Sequence, residues 1–371
     1  MKKWSVLVAK LIENQFEGEF HPKMGNKWGY VSGMTLKAFA LLGEHVNEQR
    51  YIDLSNKHLD LFVQEDGRVK GYHVEEYNLD HINQGKLLFA RWKDTNEIKY
   101  KQAIYQLYSQ LCGQPRTLTG GFWHKKIYPF QMWLDGIYMS SPFLAEFAKT
   151  FDHYDEFDVV AHQILLIEQQ TRNRDTGLLH HAWDESKEQR WCYRDTGRSP
   201  HVWGRGMGWY MMAIVDALEH FPVDHPKRGQ IMGIFERLSQ AVLDVQDEQT
   251  GVWYQLMDQN GRKDNYLESS GSCMITYALI KGLRLKYLSW IDRNRVKKAY
   301  EGIIEQFVTE DEQGAHLHHI CFGAGLGGKK YRDGSYEYYM KEEVGSDALM
   351  RVAPFLLASI EFEKYFNQSY I

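Results

Sequence analysis

The chain has 371 residues, 43% of them hydrophobic and 25% charged, and carries a formal net charge of −5. That is ample apolar material for a large core and excludes a disordered chain, while a mildly acidic balance with no basic stripe argues against a general nucleic-acid binder. The four cysteines, Cys112, Cys192, Cys273 and Cys321, lie far apart without a CxxC pair, so they read as reduced core thiols and not as a disulfide frame or zinc site.

In chain order, Trp4, Leu7, Val8 and Leu11 mark one face of a first helix. Lys10, Glu13 and Asn14 interrupt that stretch and no small-residue cleavage site follows, which argues against a signal peptide. An atypical first unit surrounds Trp28, Gly29, Tyr30 and Gly33. One-sided apolar stripes of helical period then follow: Tyr100, Ile104, Leu107 and Leu111; Phe157, Val160, Ile164 and Ile167; Val296, Tyr300, Ile303 and Phe307. Between helices one loop pattern recurs: a turn rich in Asp, Thr and Gly, an aromatic stretch, polar residues and a new helix. Its glycines are Gly67, Gly121, Gly177, Gly251 and Gly314, spaced by roughly 55–75 residues, which suits one helical hairpin per unit.

With the first unit this makes six hairpins. Six hairpins closing on themselves give an all-α (α/α)6 barrel, with short hairpin-like loops clustered at its mouth. An open solenoid would have shorter and more uniform repeats. With 8 prolines and no linker-like stretch, one domain over residues 1–371 is expected. No apolar run approaches the roughly 20 residues that span a bilayer, so a cytoplasmic protein with no membrane partner is expected.

Two acids stand out for chemistry. Asp135 sits among Trp133, Leu134, Ile137 and Tyr138, company in which ionisation costs free energy and the protonated form of a general acid is favoured. Asp80, in YNLDHINQG, holds a similar place one unit earlier. If both begin inner helices of adjacent hairpins they converge at the mouth, where two carboxylates resist simultaneous ionisation. For each, the competing reading is a helix N-cap. Trp123, Trp133, Trp183, Trp203, Trp209 and Trp253, with Tyr30, Tyr72 and Tyr77, supply faces on which sugars stack. His124 and Lys125 follow Trp123, His180 and His181 precede Trp183, and Arg205 lies between Trp203 and Trp209; Arg and Lys hold carboxylates by charge-assisted hydrogen bonds. His180 and His181 are adjacent on an extended segment and point oppositely, so they are no metal motif. The glycine-rich CFGAGLGG at 321–328, a dinucleotide-loop look-alike, follows no parallel-strand pattern and opens no clear helix, so it reads as a loop.

Four segments in this order, GGFWHKKIYPFQMWLDGIYM, TGLLHHAWDE, SPHVWGRGMGWY and GVWYQLMD with NYLESSGSCM, carry a resemblance over most of the chain. It resembles the unsaturated rhamnogalacturonyl hydrolases of glycoside hydrolase family 105, distant relatives of the unsaturated glucuronyl hydrolases of family 88. The resemblance implies the same (α/α)6 barrel and removal of an unsaturated uronic acid from small pectin-derived fragments, by hydration of the C4=C5 enol ether. It implies Asp135 as the acid/base and Asp80 as a second acid that contacts substrate and tunes the first. His124, His181, Arg205 and Trp209 fall at substrate-contact positions, with Lys125, Trp28 and Tyr30 as weaker matches. Asn83 followed by Gln84 departs from the family pattern beside Asp80. No metal or organic cofactor is implied, and the partner is a small anionic oligosaccharide.

Three rivals stay open: a relative acting on unsaturated glucuronyl fragments of another polysaccharide, an N-acylsugar epimerase using His124 and His181 as bases, and a sugar-sensing barrel without turnover.

Overall fold

The structure, a computed structural model, describes residues 2–16 and 27–367. Its helices in chain order are α1 (Trp4–Glu13), α2 (Tyr30–Val46), α3 (Gln49–Asp60), α4 (Lys86–Thr95), α5 (Ile98–Gly113), α6 (Leu134–Thr150) and α7 (Asp155–Thr171). They continue with α8 (Gly204–Leu218), α9 (Arg228–Asp244), α10 (Ser269–Arg284), α11 (Arg293–Phe307), the short α12 (Tyr336–Lys341) and α13 (Leu349–Phe366). Helices α2, α4, α6, α8, α10 and α13 pack each on the next, and α13 returns to α2, so the inner ring is closed. Helices α3, α5, α7, α9 and α11 each lie outside the inner helix that precedes them, and α1 covers α13. The expected (α/α)6 barrel is present. The outer helix of its last hairpin comes from the start of the chain. No helix among the described residues is long and apolar enough to cross a membrane.

The difference between inner and outer helices is written in side chains. Every residue of α8 except Asp216 is buried, and every residue of α10 except Arg284. Outer helices bury one stripe: Tyr100, Ile104, Leu107 and Leu111 on α5, Phe157, Val160, Ile164 and Ile167 on α7, and Val296, Tyr300, Ile303 and Phe307 on α11. Where inner helices cross closely, glycine makes the room. A Cβ on Gly208 of α8 would lie 2.5 Å from Met274 Cβ of α10.

Helices α3, α5, α7, α9 and α11 are each followed by a tight turn that sends the chain back to the mouth. Gly67, Gly177, Gly251 and Gly314 all take positive φ there, which a side chain rarely tolerates. In the 116–122 turn that conformation falls on Gly120, not Gly121; Gly121 instead leaves space for Met132, whose sulfur would lie 2.1 Å from a Cβ. Three two-stranded ladders complete the loops: β1 (Gln131–Trp133) with β2 (Ala182–Asp184), β3 (Val308–Asp311) with β4 (Gly314–Leu317), and β5 (Ile320–Cys321) with β6 (Val344–Gly345), all antiparallel.

The close crossing yields a paired test. Gly208→Val should cost about 1–3 kcal/mol through overpacking. Gly233→Ala on α9, where the nearest atom to a new Cβ is the flexible end of Arg237 at 3.9 Å, should add up to about 1 kcal/mol from helix propensity. Urea unfolding midpoints of both variants against the parent check the opposite signs.

Candidate active site

The mouth is built outward from the β1–β2 pair. Gln131 faces Asp184, Met132 faces Trp183 and Trp133 faces Ala182. β1 runs straight into α6, so Asp135 is the second residue of that helix. β2 directly follows His181. The Leu134 amide donates to the His181 carbonyl at 3.1 Å, which locks the two residues side by side. His181 Nε2 lies 3.3 Å from Asp135 Oδ2, close but not aligned as a hydrogen bond, and neither atom has another partner among the described residues. Asp135 makes no capping bond. On its other side His181 Nδ1 is 2.8 Å from the Tyr339 hydroxyl, contributed by α12. His180 points the opposite way, as extended backbone demands, into a separate groove shared with Arg198 and Asp258.

The Asp80 side is assembled differently. Residues 79–85 form two consecutive 3-10 turns, so Asp80 does not begin an inner helix as expected; α4 starts only at Lys86. Asn78, not Asp80, is the capping residue, accepting from the Asp80 amide at 3.1 Å. Gly33 permits this compact stretch to press on α2, since a Cβ there would meet Asn83 and Gln84 below 3 Å. Gln84 Oε1 accepts from the Gly29 amide at 2.9 Å, which gives the Asn-Gln departure a structural use. Trp28 lies beneath this turn, donating to the His81 carbonyl at 2.6 Å, and does not line the cavity.

Asp80 Oδ2 is 2.5 Å from Lys125 Nζ, and His124 Nε2 is 3.6 Å from Asp80 Oδ1. Burial alone would raise the Asp80 carboxyl; the Lys125 ammonium and the His124 ring outweigh it and hold it below its ordinary value. The expectation of two acids competing for one proton is therefore corrected on the Asp80 side: this acid is an ion-paired carboxylate. Burial also pushes His124 down to about 4, against the pull of Asp80, so its ring is neutral near pH 7. The ring stacks on Trp133 at 4.7 Å, and Tyr128 stacks on Trp133 at 5.1 Å. Gly136, after Asp135, admits the His124 ring, whose Nδ1 would lie 3.0 Å from a Cβ.

Asp80, Asp135, His124, Lys125, Arg205 and Trp209 line one cavity of about 200 Å³, together with Tyr30. Trp209 is buried against Tyr138, with ring centroids 5.1 Å apart. Arg205 is largely committed inward. Its Nη1 donates to Ser270 Oγ at 3.0 Å and to the Cys321 carbonyl at 2.7 Å, and Nη2 donates to the Gly323 carbonyl. It thereby anchors the glycine-rich segment, whose Phe322–Gly325 stretch forms a wall of the cavity with Arg332. That wall, Tyr128 and Tyr339 were not singled out from sequence. The glycines of CFGAGLGG were the available signal: Cβ atoms at 323 and 325 would collide with Glu342 and Arg332.

A closed ring of helical hairpins with a small polar and aromatic cavity at its mouth is the six-hairpin architecture, and its concave, aromatic-lined site suits a sugar. The model of Glycosyl Hydrolase Family 88 matches residues 4–366, and the chain belongs to that family. A family 105 glycoside hydrolase from Clostridium acetobutylicum (C. acetobutylicum ATCC 824) superposes with a TM-score of 0.93 at 44% identity, covering 98% of this chain and all of that one. Protein Atu3128 of Agrobacterium fabrum is 38% identical over 192 residues, 50% of this chain and 82% of its own. The unsaturated rhamnogalacturonyl hydrolase YesR of Bacillus subtilis is 23% identical over 79% of this chain and 80% of its own.

The cavity sets a pH dependence of stability. His124 has a folded pKa below its ordinary 6.5, so the unfolded chain binds more protons between about 6.5 and 4. Its contribution is complete above about 6.5 and is lost as pH falls towards 4, about 2 kcal/mol between pH 7 and pH 5. Asp80, also held low, adds in the same direction below its ordinary 3.8. Urea unfolding at pH 7 and pH 5 should show this loss and a shallower one in His124→Gln. The slope should not vanish, because His220 is also pushed down to about 4 by burial.

Proposed function

We propose that the protein removes the 4,5-unsaturated uronic acid from the non-reducing end of small lyase-generated fragments, with unsaturated galacturonyl–rhamnose units of rhamnogalacturonan as substrate, in the cytoplasm. One observation carries the reading: Asp135 starts an inner helix at the cavity with Oδ2 unpartnered beside the His181 ring. The likeness to a family 105 hydrolase and to YesR supports it.

In this reading protonated Asp135 delivers its proton to C4 of the enol ether. Positive charge develops at C5 and the ring oxygen. The Asp135 carboxylate then takes a proton from water as the water oxygen bonds to C5, and Asp135 ends as it began. The hemiketal opens and the neighbouring sugar leaves. Asp80, kept ionised by Lys125, stabilises the developing positive charge and accepts hydrogen bonds from the sugar. Arg205 has an Nη2–H and its Nε–H without a protein acceptor among the described residues, and these hold the substrate carboxylate. Trp209, Tyr30 and neutral His124 complete the pocket, and Trp28 supports the Asp80 turn from behind.

Tyr339 is a positioning residue here. Its hydroxyl both donates and accepts, so it can pair with either tautomer of His181. When Asp135 is ionised, Tyr339 donates to Nδ1 and Nε2–H faces the carboxylate. When Asp135 is protonated, the other tautomer turns a lone pair towards it. An epimerase would instead ask His124 to act as a base, and a ring with a pKa of about 4 is a poor one near neutrality.

Loss of enol-ether ultraviolet absorbance from an unsaturated galacturonyl–rhamnose disaccharide is the direct assay. Asp135→Asn should lose about 10²–10⁴-fold in turnover while still binding; near-full activity would remove Asp135 from the reaction. Tyr339→Phe should move a limb of the kcat/KM pH profile with KM little changed. A profile identical to that of the parent would leave Tyr339 no part in setting the acid.

A further inference from the structure

The cavity of about 200 Å³ is smaller than the roughly 300 Å³ at which pockets for drug-sized ligands begin. It has room for the unsaturated ring and little more. The elimination that creates the C4=C5 bond also makes C4 and C5 trigonal. It erases the stereocentre that separates galacturonic from glucuronic acid. The unsaturated ring is then the same whichever of those acids it came from, so selectivity among fragments has to arise at the linkage and in the sugars that leave.

Those sugars have a place to lie. An open depression of about 630 Å³ adjoins the cavity and shares Tyr128 and Arg332 with it. It is lined by the turn Gly328–Arg332 together with Tyr338 and Glu342. Lys329 and Lys330 are exposed there, and neither has a carboxylate partner among the described residues. Arg332 also lacks one. It donates from Nε to the Gly327 carbonyl at 3.0 Å, and from Nη2 to the Leu326 carbonyl and the Tyr128 hydroxyl at 3.2 Å each. Its guanidinium packs over Gly325, where a Cβ would lie 2.4 Å from Nη1, so the glycine fixes Arg332 at the junction. Glu342 is the one acid among the lining residues, and it is engaged by the Tyr338 hydroxyl. Three cations against one engaged carboxylate make the depression locally positive on a chain whose net charge is −5.

We propose that this depression is a subsite for the leaving-group side of the substrate, and that Lys329, Lys330 and Arg332 select fragments bearing a second negative charge beyond the scissile bond. The inference rests on the reaction proposed above for the direction of the chain. The shared chemistry is an oxyanion, either the carboxylate of a further uronic acid or a sulfate ester. Exposed lysines with no carboxylate partner among the described residues, Lys329 and Lys330, hold such groups by charge-assisted hydrogen bonds at little desolvation cost, with Arg332 adding its charge at the junction.

The test compares three unsaturated fragments of equal length whose outer sugar is neutral, carboxylated or sulfated, on the parent and on Lys329→Ala/Lys330→Ala. The parent should show a KM roughly tenfold lower for a charged fragment than for the neutral one, and the double variant should lose that preference while treating the neutral fragment as the parent does. Preference for the carboxylated, the sulfated or both fragments supports the subsite and identifies its anion. Equal KM for all three on the parent, with normal turnover, overturns the subsite and leaves the reaction standing. Calorimetric titration of Asp135→Asn with and without the two lysine substitutions reads the subsite without turnover. If no fragment is hydrolysed yet the charged ones bind more weakly after the lysines are removed, the subsite stands and the reaction falls. If binding is also indifferent to charge, both fall.

Discussion

The inner helices α8 and α10 have almost no face left for water, and this requirement orders the rest of the molecule. An inner helix such as α8 or α10 is buried on nearly every side. It therefore needs two inner neighbours and an outer cover, and a row of such helices is satisfied only when it closes. Closure forces the inner helices into similar directions, and so brings the loops that precede them to one end. The mouth is a by-product of a packing problem, and residues there such as Trp209 serve the core and the cavity at once.

Polar groups at that mouth are held by backbone pairing more than by side chains. The β1–β2 ladder places Asp135 and His181 together, and the Leu134 amide fixes their level. An isolated bridge between Asn78 and Lys125 does the same for the Asp80 side. The two acids therefore occupy different electrostatic surroundings within one cavity. Asp80 sits against a cation, and Asp135 keeps an oxygen without a partner. Such asymmetry lets two identical functional groups take different roles.

Much of this was legible in the sequence, because helical periodicity and recurring glycine turns are local signals. The stripes on α5, α7 and α11 and the glycines at 67, 177, 251 and 314 appear where the pattern put them. Asp80, Asp135, His124, Lys125, Arg205, Trp209 and Tyr30 do share one cavity. What failed was whatever depends on residues distant in sequence. The 3-10 turns around Asp80 arise from close approach to Gly33, which nothing near Asp80 announces. The inward commitment of Arg205 depends on carbonyls at 321 and 323, more than a hundred residues later. Trp28, a weaker substrate-contact match by resemblance, lies behind the Asp80 turn, because its indole donates to the His81 carbonyl across the fold.

Tyr339 belongs to none of the six hairpins. It lies on α12, in the segment that crosses from the last outer helix to the last inner one, and the same segment carries Phe322–Gly325 and Arg332. The hydroxyl against His181 and the wall over the cavity thus come from one stretch of chain that lies outside the ring of hairpins. A single change in the crossing segment therefore reaches two things at once: the shape of the cavity wall and the hydrogen bond at His181 Nδ1.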